Sequence, residues 1–204
     1  MDRRGSLRRR RVIAAGHAGQ TELPRRALGD PDPAVQAAAL SALARAGALS
    51  VDDVAALLPA APAAVRRRVP DAALTVRGPG SRSRLFALLI GALDDPDPLV
   101  VVGAAWFLGE RRVPGAVERL AATATGHDDV RCREAAVAAL GAIGLPQGLD
   151  AVLAALDDKP TVRRRATVAL AGFDDPRVEA ALGRSAGDRD WQVRQAADEL
   201  LDDR

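Results

Sequence analysis

Asp30–Gly47, DPDPAVQAAALSALARAG, decides how the rest of the chain is read. An Asp-Pro turn leads to Val35, with Ala39 four residues on and Leu43 four after that. The same stretch returns as DPDPLV at 95–100 with Ala104 and Leu108. It comes again as Cys132/Ala136/Leu140, Val162/Ala166/Leu170 and Val193/Ala197/Leu201, with a degraded copy at Val65/Val69/Ala73. The anchors Val35, Val65, Val100, Cys132, Val162 and Val193 are separated by 30, 35, 32, 30 and 31 residues. A period of this length is the signature of a solenoid, in which each unit buries its apolar side only against its neighbours.

Anchor, +4 and +8 form one apolar stripe of an α-helix, so each copy predicts a longer helix. Asp32, Asp97, Asp129 and Asp190 stand three before their anchors, where a carboxylate accepts the free N–H groups of a helix start. Pro33, Pro98 and Pro160 fit the first helical position. Gly47, Gly144 and Gly172 suit helix stops. Shorter helices are predicted over Thr21–Leu28, Val51–Leu58, Ser83–Leu93, Ala116–Ala122, Leu149–Leu156 and Val178–Gly183. No strand is expected. Pro70 predicts a kink in the second repeat's longer helix. Residues 1–5 are expected to be disordered and 6–204 to form a single repeat domain. Its leading half-repeat sets Leu7 at the anchor position and Leu7, Ala14, Ala15 and Ala18 loosely on one side. The fold class is all-α: a solenoid of about six helical hairpins plus an N-terminal capping helix.

Composition narrows the function. Aromatics are 2% of the chain and Tyr is absent, so the core is built from Ala, Leu and Val, with little bulk for a deep cofactor pocket. The one cysteine, Cys132, occupies an anchor position and reads as a small buried hydrophobe. Net charge is only +2, and Lys159 is the only lysine among 29 basic residues. That bias matches GC-rich codon usage and weakens any argument from arginine number alone. No apolar run is long enough for a membrane span. A soluble, cytoplasmic protein is expected.

The pattern Asp-x-Asp-Pro-x-Val-x-x-x-Ala-x-x-x-Leu, running from about Leu7 to Leu201, resembles the short HEAT repeats of the phycobilisome-lyase-like type. The resemblance implies a right-handed α-solenoid with the longer helices lining a concave face. It also implies a ladder between repeats, from an Arg directly after the anchor to a turn Asp. The matching positions are Arg66, Arg133, Arg163 and Arg194, and Asp30, Asp95, Asp157 and Asp188. Gln36 and Val101 replace the Arg, and Ala60 and His127 replace the Asp. Scaffolds, chaperone-like subunits and a few enzymes share this fold.

Positions +2 and +6 of the longer helices face away from the stripe and are expected to line the groove. Arg67, Asp71, Trp106, Glu134 and Arg164 are the candidate binding residues. Trp106 stands out as a large aromatic off the core stripe, a typical partner anchor. Trp191 is expected to cover the end of the core. Arg8, Arg9, Arg10 and Arg11 form a candidate basic patch, within 28 residues that hold eight Arg against Asp2 and Glu22. The last 18 residues are acidic. This polarity suits phosphate or nucleic-acid contact, or head-to-tail association of copies.

His17 and His127 lack His-Glu or spaced Cys/His companions, so neither a metal nor any other cofactor is expected. That also sets aside the HEAT-type deoxyhypusine hydroxylases. The HEAT-like DNA glycosylases use several aromatics in their cleft, which this chain lacks. No phosphate loop or nucleophile elbow occurs. The expected function is a non-catalytic protein- or peptide-binding scaffold. A nucleic-acid-binding protein is the first alternative, and an accessory subunit or lyase-like enzyme acting on a small molecule the second.

Overall fold

A computed structural model describes residues 3–78 and 80–202. Among them every regular element is helical. The fold class is all-α, a helical-repeat solenoid built from alternating longer and shorter helices. The chain divides into two compact units, Met1–Gly103 and Ala104–Arg204.

The first unit opens with α1 (Arg3–His17), followed by α2 (Glu22–Ala27), α3 (Pro33–Arg45) and α4 (Val51–Ala60). Then come α5 (Ala63–Arg66), α6 (Val69–Ala73) and α7 (Ser81–Gly91), while α8 (Pro98–Glu110) contributes residues to both units. Helix α1 begins at Arg3, inside the segment expected to be disordered; residues 1 and 2 lie outside the described residues. Its buried residues are Gly5, Val12, Ala15 and Gly16, whereas Leu7, Ala14 and Ala18 are exposed. Leu7 holds the anchor register without burial, because in this unit α1 has one longer helix beside it and its far side is open. Gly16 makes the approach of α1 to α3 possible: a Cβ there would stand 2.5 Å from that of Ala42. Val12, Ala27, Val35, Ala39 and Ala42 fuse into one apolar cluster.

The second repeat departs from the expected kink. Its longer helix is split into α5 and α6, with Pro70 in the first turn of α6, where a missing N–H costs no intrahelical bond. Val65, Val69 and Ala73 are fully buried despite the break.

The second unit comprises the end of α8, then α9 (Val117–Gly126), α10 (Val130–Ile143) and α11 (Leu149–Ala154). It closes with α12 (Pro160–Ala169), α13 (Arg177–Ser185) and α14 (Trp191–Asp202). Its core contains Leu120, Leu140, Leu149, Leu170 and Leu182, together with the anchors Cys132, Val162 and Val193. The longer helices approach through small residues. A Cβ on Gly109 would lie 2.9 Å from Ala139 Cα, and one on Gly141 2.7 Å from Ala169 Cα. Gly47 and Gly144 end their helices at φ of 63° and 70°, as helix stops do. Gly172 serves differently: a Cβ there would meet the Gly141 carbonyl oxygen at 2.1 Å.

The turns repeat one hydrogen-bonding device. The carboxylates of Asp32, Asp97, Asp129 and Asp190 each accept the backbone N–H two residues on, capping the longer helix. Asp30, Asp95 and Asp188 in turn accept the N–H of the capping Asp. His127 substitutes at that position, its Nδ1 accepting the Asp129 N–H at 3.0 Å.

Candidate binding face

The turn aspartates also hold neighbouring repeats together. Arg66 donates from Nε and Nη2 to Asp95, and Arg163 does the same to Asp188. Each of these arginines turns Nη1 back onto a carbonyl at the start of its own helix, Ala61 and Asp158 respectively. Arg133 follows the same plan, with Asp158 as its partner rather than the expected Asp157. Hydrogen bonding from Arg133 and Arg163, against partial burial, holds Asp158 and Asp188 below the ordinary carboxylate value. These groups link repeats, so their charges are committed within the fold.

The same ladder takes up part of the expected basic patch. Arg8 sits directly after the anchor-register Leu7 and donates from Nε and Nη2 to both oxygens of Asp30, at 2.9 and 3.2 Å. For Asp30, burial raises the carboxyl's value, and hydrogen bonds from the Asp32 N–H and Arg8 more than offset it. Arg8 is therefore the first rung of the ladder. Arg9, Arg10 and Arg11 are exposed.

Arg67 lies at the break between α5 and α6 and pairs with Asp97 at 2.7 Å. The hydrogen bond from Arg67 pulls the Asp97 carboxyl below its usual value, with burial opposing. Arg67 thus joins repeats of the first unit as well as facing solvent. Asp71, one turn on in α6, is exposed.

The other three candidates belong to the second unit. Trp106 on α8 and Val168 on α12 are 44% and 42% exposed, a degree of exposure that sets both side chains apart from the core. They share one register position, +6, with Ala138 of α10 between them in the repeat order. Phe107 beside Trp106 is fully buried, so the aromatic pair is divided between core and surface. A hollow of about 300 Å3 is floored by Ala138, Gly141 and Ala169 and edged by Val168 and Arg165. Arg165 reaches Glu134 at 3.4 Å, leaving a weak pair at the rim. Arg164 is exposed and forms no hydrogen bond or ion pair among the described residues.

Trp191 does not cover the core. At the first position of α14 it is 61% exposed. Cys132 is buried, as an anchor should be. Among the described residues no three His, Cys, Asp or Glu side chains converge to hold a metal ion. No helix among them is long and apolar enough to cross a membrane.

Residues 85–168 match the family of HEAT repeats. The chain's fold is similar to that of an engineered protein at 21% identity, with a TM-score of 0.66 over 89% of this chain and 97% of that one. A designed armadillo repeat protein in complex with the peptide (KR)4 gives 20% identity and a TM-score of 0.63 over 89% and 98%. The complex of CpcE and CpcF of phycocyanin lyase from Nostoc gives 24% and 0.62 over 87% and 74%. At such identities the likeness concerns the fold. Comparison with curated protein sequences finds no match to the chain.

Proposed function

We propose that the protein is a non-catalytic scaffold whose longer helices hold an extended segment of another protein. The observation that carries this reading is the strip Trp106–Ala138–Val168, part-exposed at one register of three successive longer helices in a chain with very few aromatics. Large aromatics in such settings supply a disproportionate share of binding free energy. Arg164, exposed on α12 four residues before Val168, selects for a carboxylate on the bound segment, and the Arg165–Glu134 pair admits mixed charge at the rim. Arg67 and Asp71 offer the first unit's corresponding positions, with Arg67 partly committed to Asp97. The fold supports this reading, since the designed armadillo protein of the same helical-repeat type is seen with a bound peptide.

The test is selection from a displayed peptide library, followed by affinity measurement on Trp106→Ala and Arg164→Glu. Both variants are expected to keep the wild-type helical spectrum and to lose binding at least tenfold. Arg164→Glu should lose most for peptides bearing a carboxylate. Selected peptides that bind both variants as tightly as wild type would overturn the assignment of this face.

A further inference from the structure

In the interior of each unit, neighbouring longer helices meet by a fixed register. The residue nine after one anchor lies against the residue seven after the next, as Gly16 does with Ala42, Gly109 with Ala139 and Gly141 with Ala169. The residue five after the anchor is buried on the same side, as Leu40, Val137 and Thr167 show. At α14 these forward positions carry Asp198 and Asp202, both exposed, with Leu201 beside them at 37% exposure. At α1 the backward positions +3 and +7 carry Arg10 and Ala14, and the neighbouring stripe positions carry Leu7 and Arg11, all exposed. Helix α14 therefore presents two carboxylates around a leucine, and α1 two guanidiniums around a leucine.

Arg194 adds a donor to the acidic end. Its Nη1 caps the carbonyls of Asp188 and Arg189, as the ladder arginines do. Its Nε and Nη2, the atoms with which Arg133 and Arg163 hold Asp158 and Asp188, donate to no carboxylate among the described residues. In the sequence, Asp2 stands five before Leu7, the interval at which Asp188 stands before Val193; its placement lies outside the described residues.

We propose that α14 of one copy docks against α1 of a second copy, with Asp198 and Asp202 facing Arg10 and Arg11 and Leu201 facing Leu7. The contact is heterologous, so it extends from copy to copy instead of closing as a twofold dimer. Opposite charges on matching registers steer the encounter and make it salt-sensitive. Leu7 on α1 and Leu201 on α14, both exposed, supply the burial.

Sedimentation velocity on the full chain tests this. At low salt the weight-average mass of the wild type should climb from micromolar to millimolar concentration and return to monomer at high salt. Arg10→Glu/Arg11→Glu and Asp198→Arg/Asp202→Arg should each be monomeric alone, because like charges then face each other at both ends. Their equimolar mixture should regain association roughly tenfold or more above either variant by itself. A constant monomer mass for the wild type at low salt, or a mixture that behaves as the sum of two monomers, overturns the proposal. So does a monomeric wild type that binds duplex DNA in a salt-dependent manner lost in Arg10→Glu/Arg11→Glu, since the arginines would then serve phosphates.

Discussion

Arg163 grips Asp188 across neighbouring repeats with two hydrogen bonds, Nε to Oδ2 at 2.8 Å and Nη2 to Oδ1 at 2.7 Å. The side chains are 6% and 15% exposed, so the pair sits almost out of water. Removing one member strands the other charge in a poorly solvated site. Arg163→Met is therefore expected to destabilise by about 3–5 kcal/mol, whereas Arg163→Met/Asp188→Leu should cost less than the sum of its single changes. Urea denaturation of the four proteins measures the coupling. Additive losses would mean that the pair is no more than a surface contact.

The same carboxylates set the acid limit. Hydrogen bonds from Arg133 and Arg163 hold Asp158 and Asp188 below the value of an unfolded aspartate, ~3.9. Above that value both folded and unfolded forms are ionised, and the full contribution to stability is present. As pH falls below ~4 the unfolded chain takes up protons first, and stability declines until the folded carboxylates protonate as well. The urea midpoint should be flat from pH 7 to about 5 and drop below about 4, less steeply in the Arg163→Met/Asp188→Leu variant. A midpoint unchanged at pH 3 would contradict the ladder.

Small residues at the helix contacts give a prediction opposed to propensity. Alanine is favoured over glycine within a helix by about 1 kcal/mol. Yet the Cβ of Gly141→Ala would lie 2.6 Å from Ala169 Cβ and 2.7 Å from its Cα. That substitution must push α10 and α12 apart and should destabilise by roughly 1–3 kcal/mol. Gly183 in α13, where an added Cβ would meet nothing within 4 Å, is the control. There Gly183→Ala should stabilise by about 0.4–1 kcal/mol. Thermal melts of the two variants should move in opposite directions.

What could be read in advance followed from period and spacing. The anchor, +4 and +8 pattern located the longer helices because burial of one stripe imposes that interval, and the capping aspartates followed from the helix starts they serve. Arg8 was legible too, one residue after Leu7, but its arginine neighbours drew it into a surface patch by composition. Asp158 was not legible, since Asp157 and Asp158 are adjacent and only the local turn decides which carboxylate faces Arg133. Leu201 followed the repeat rule into the core and Trp191 was expected to cover the core's end, and only the structure reveals that α14 leaves both exposed. Register placed Trp106 and Arg164 off the core stripe, and both side chains are exposed, because a helix with one buried stripe turns its other positions to solvent.

Gln36 supplies the last test, because it marks a rung with neither of its charges. It takes the place after anchor Val35, where later repeats carry Arg66, Arg133 and Arg163, and the matching turn position downstream is Ala60. Its Oε1 is buried without a hydrogen-bond partner. An unpartnered buried amide oxygen costs about 1–3 kcal/mol of desolvation, which an apolar side chain of similar size would not incur. Gln36→Leu or Gln36→Met should accordingly raise the urea midpoint, by about 1 kcal/mol or somewhat more in stability. Gln36→Arg should not, because Ala60 offers the guanidinium no carboxylate; it should destabilise unless Ala60→Asp is made with it. Chemical denaturation of the five proteins separates these cases, and a Gln36→Leu variant weaker than wild type would show that the amide oxygen has a partner, such as a bound water, that its removal abandons.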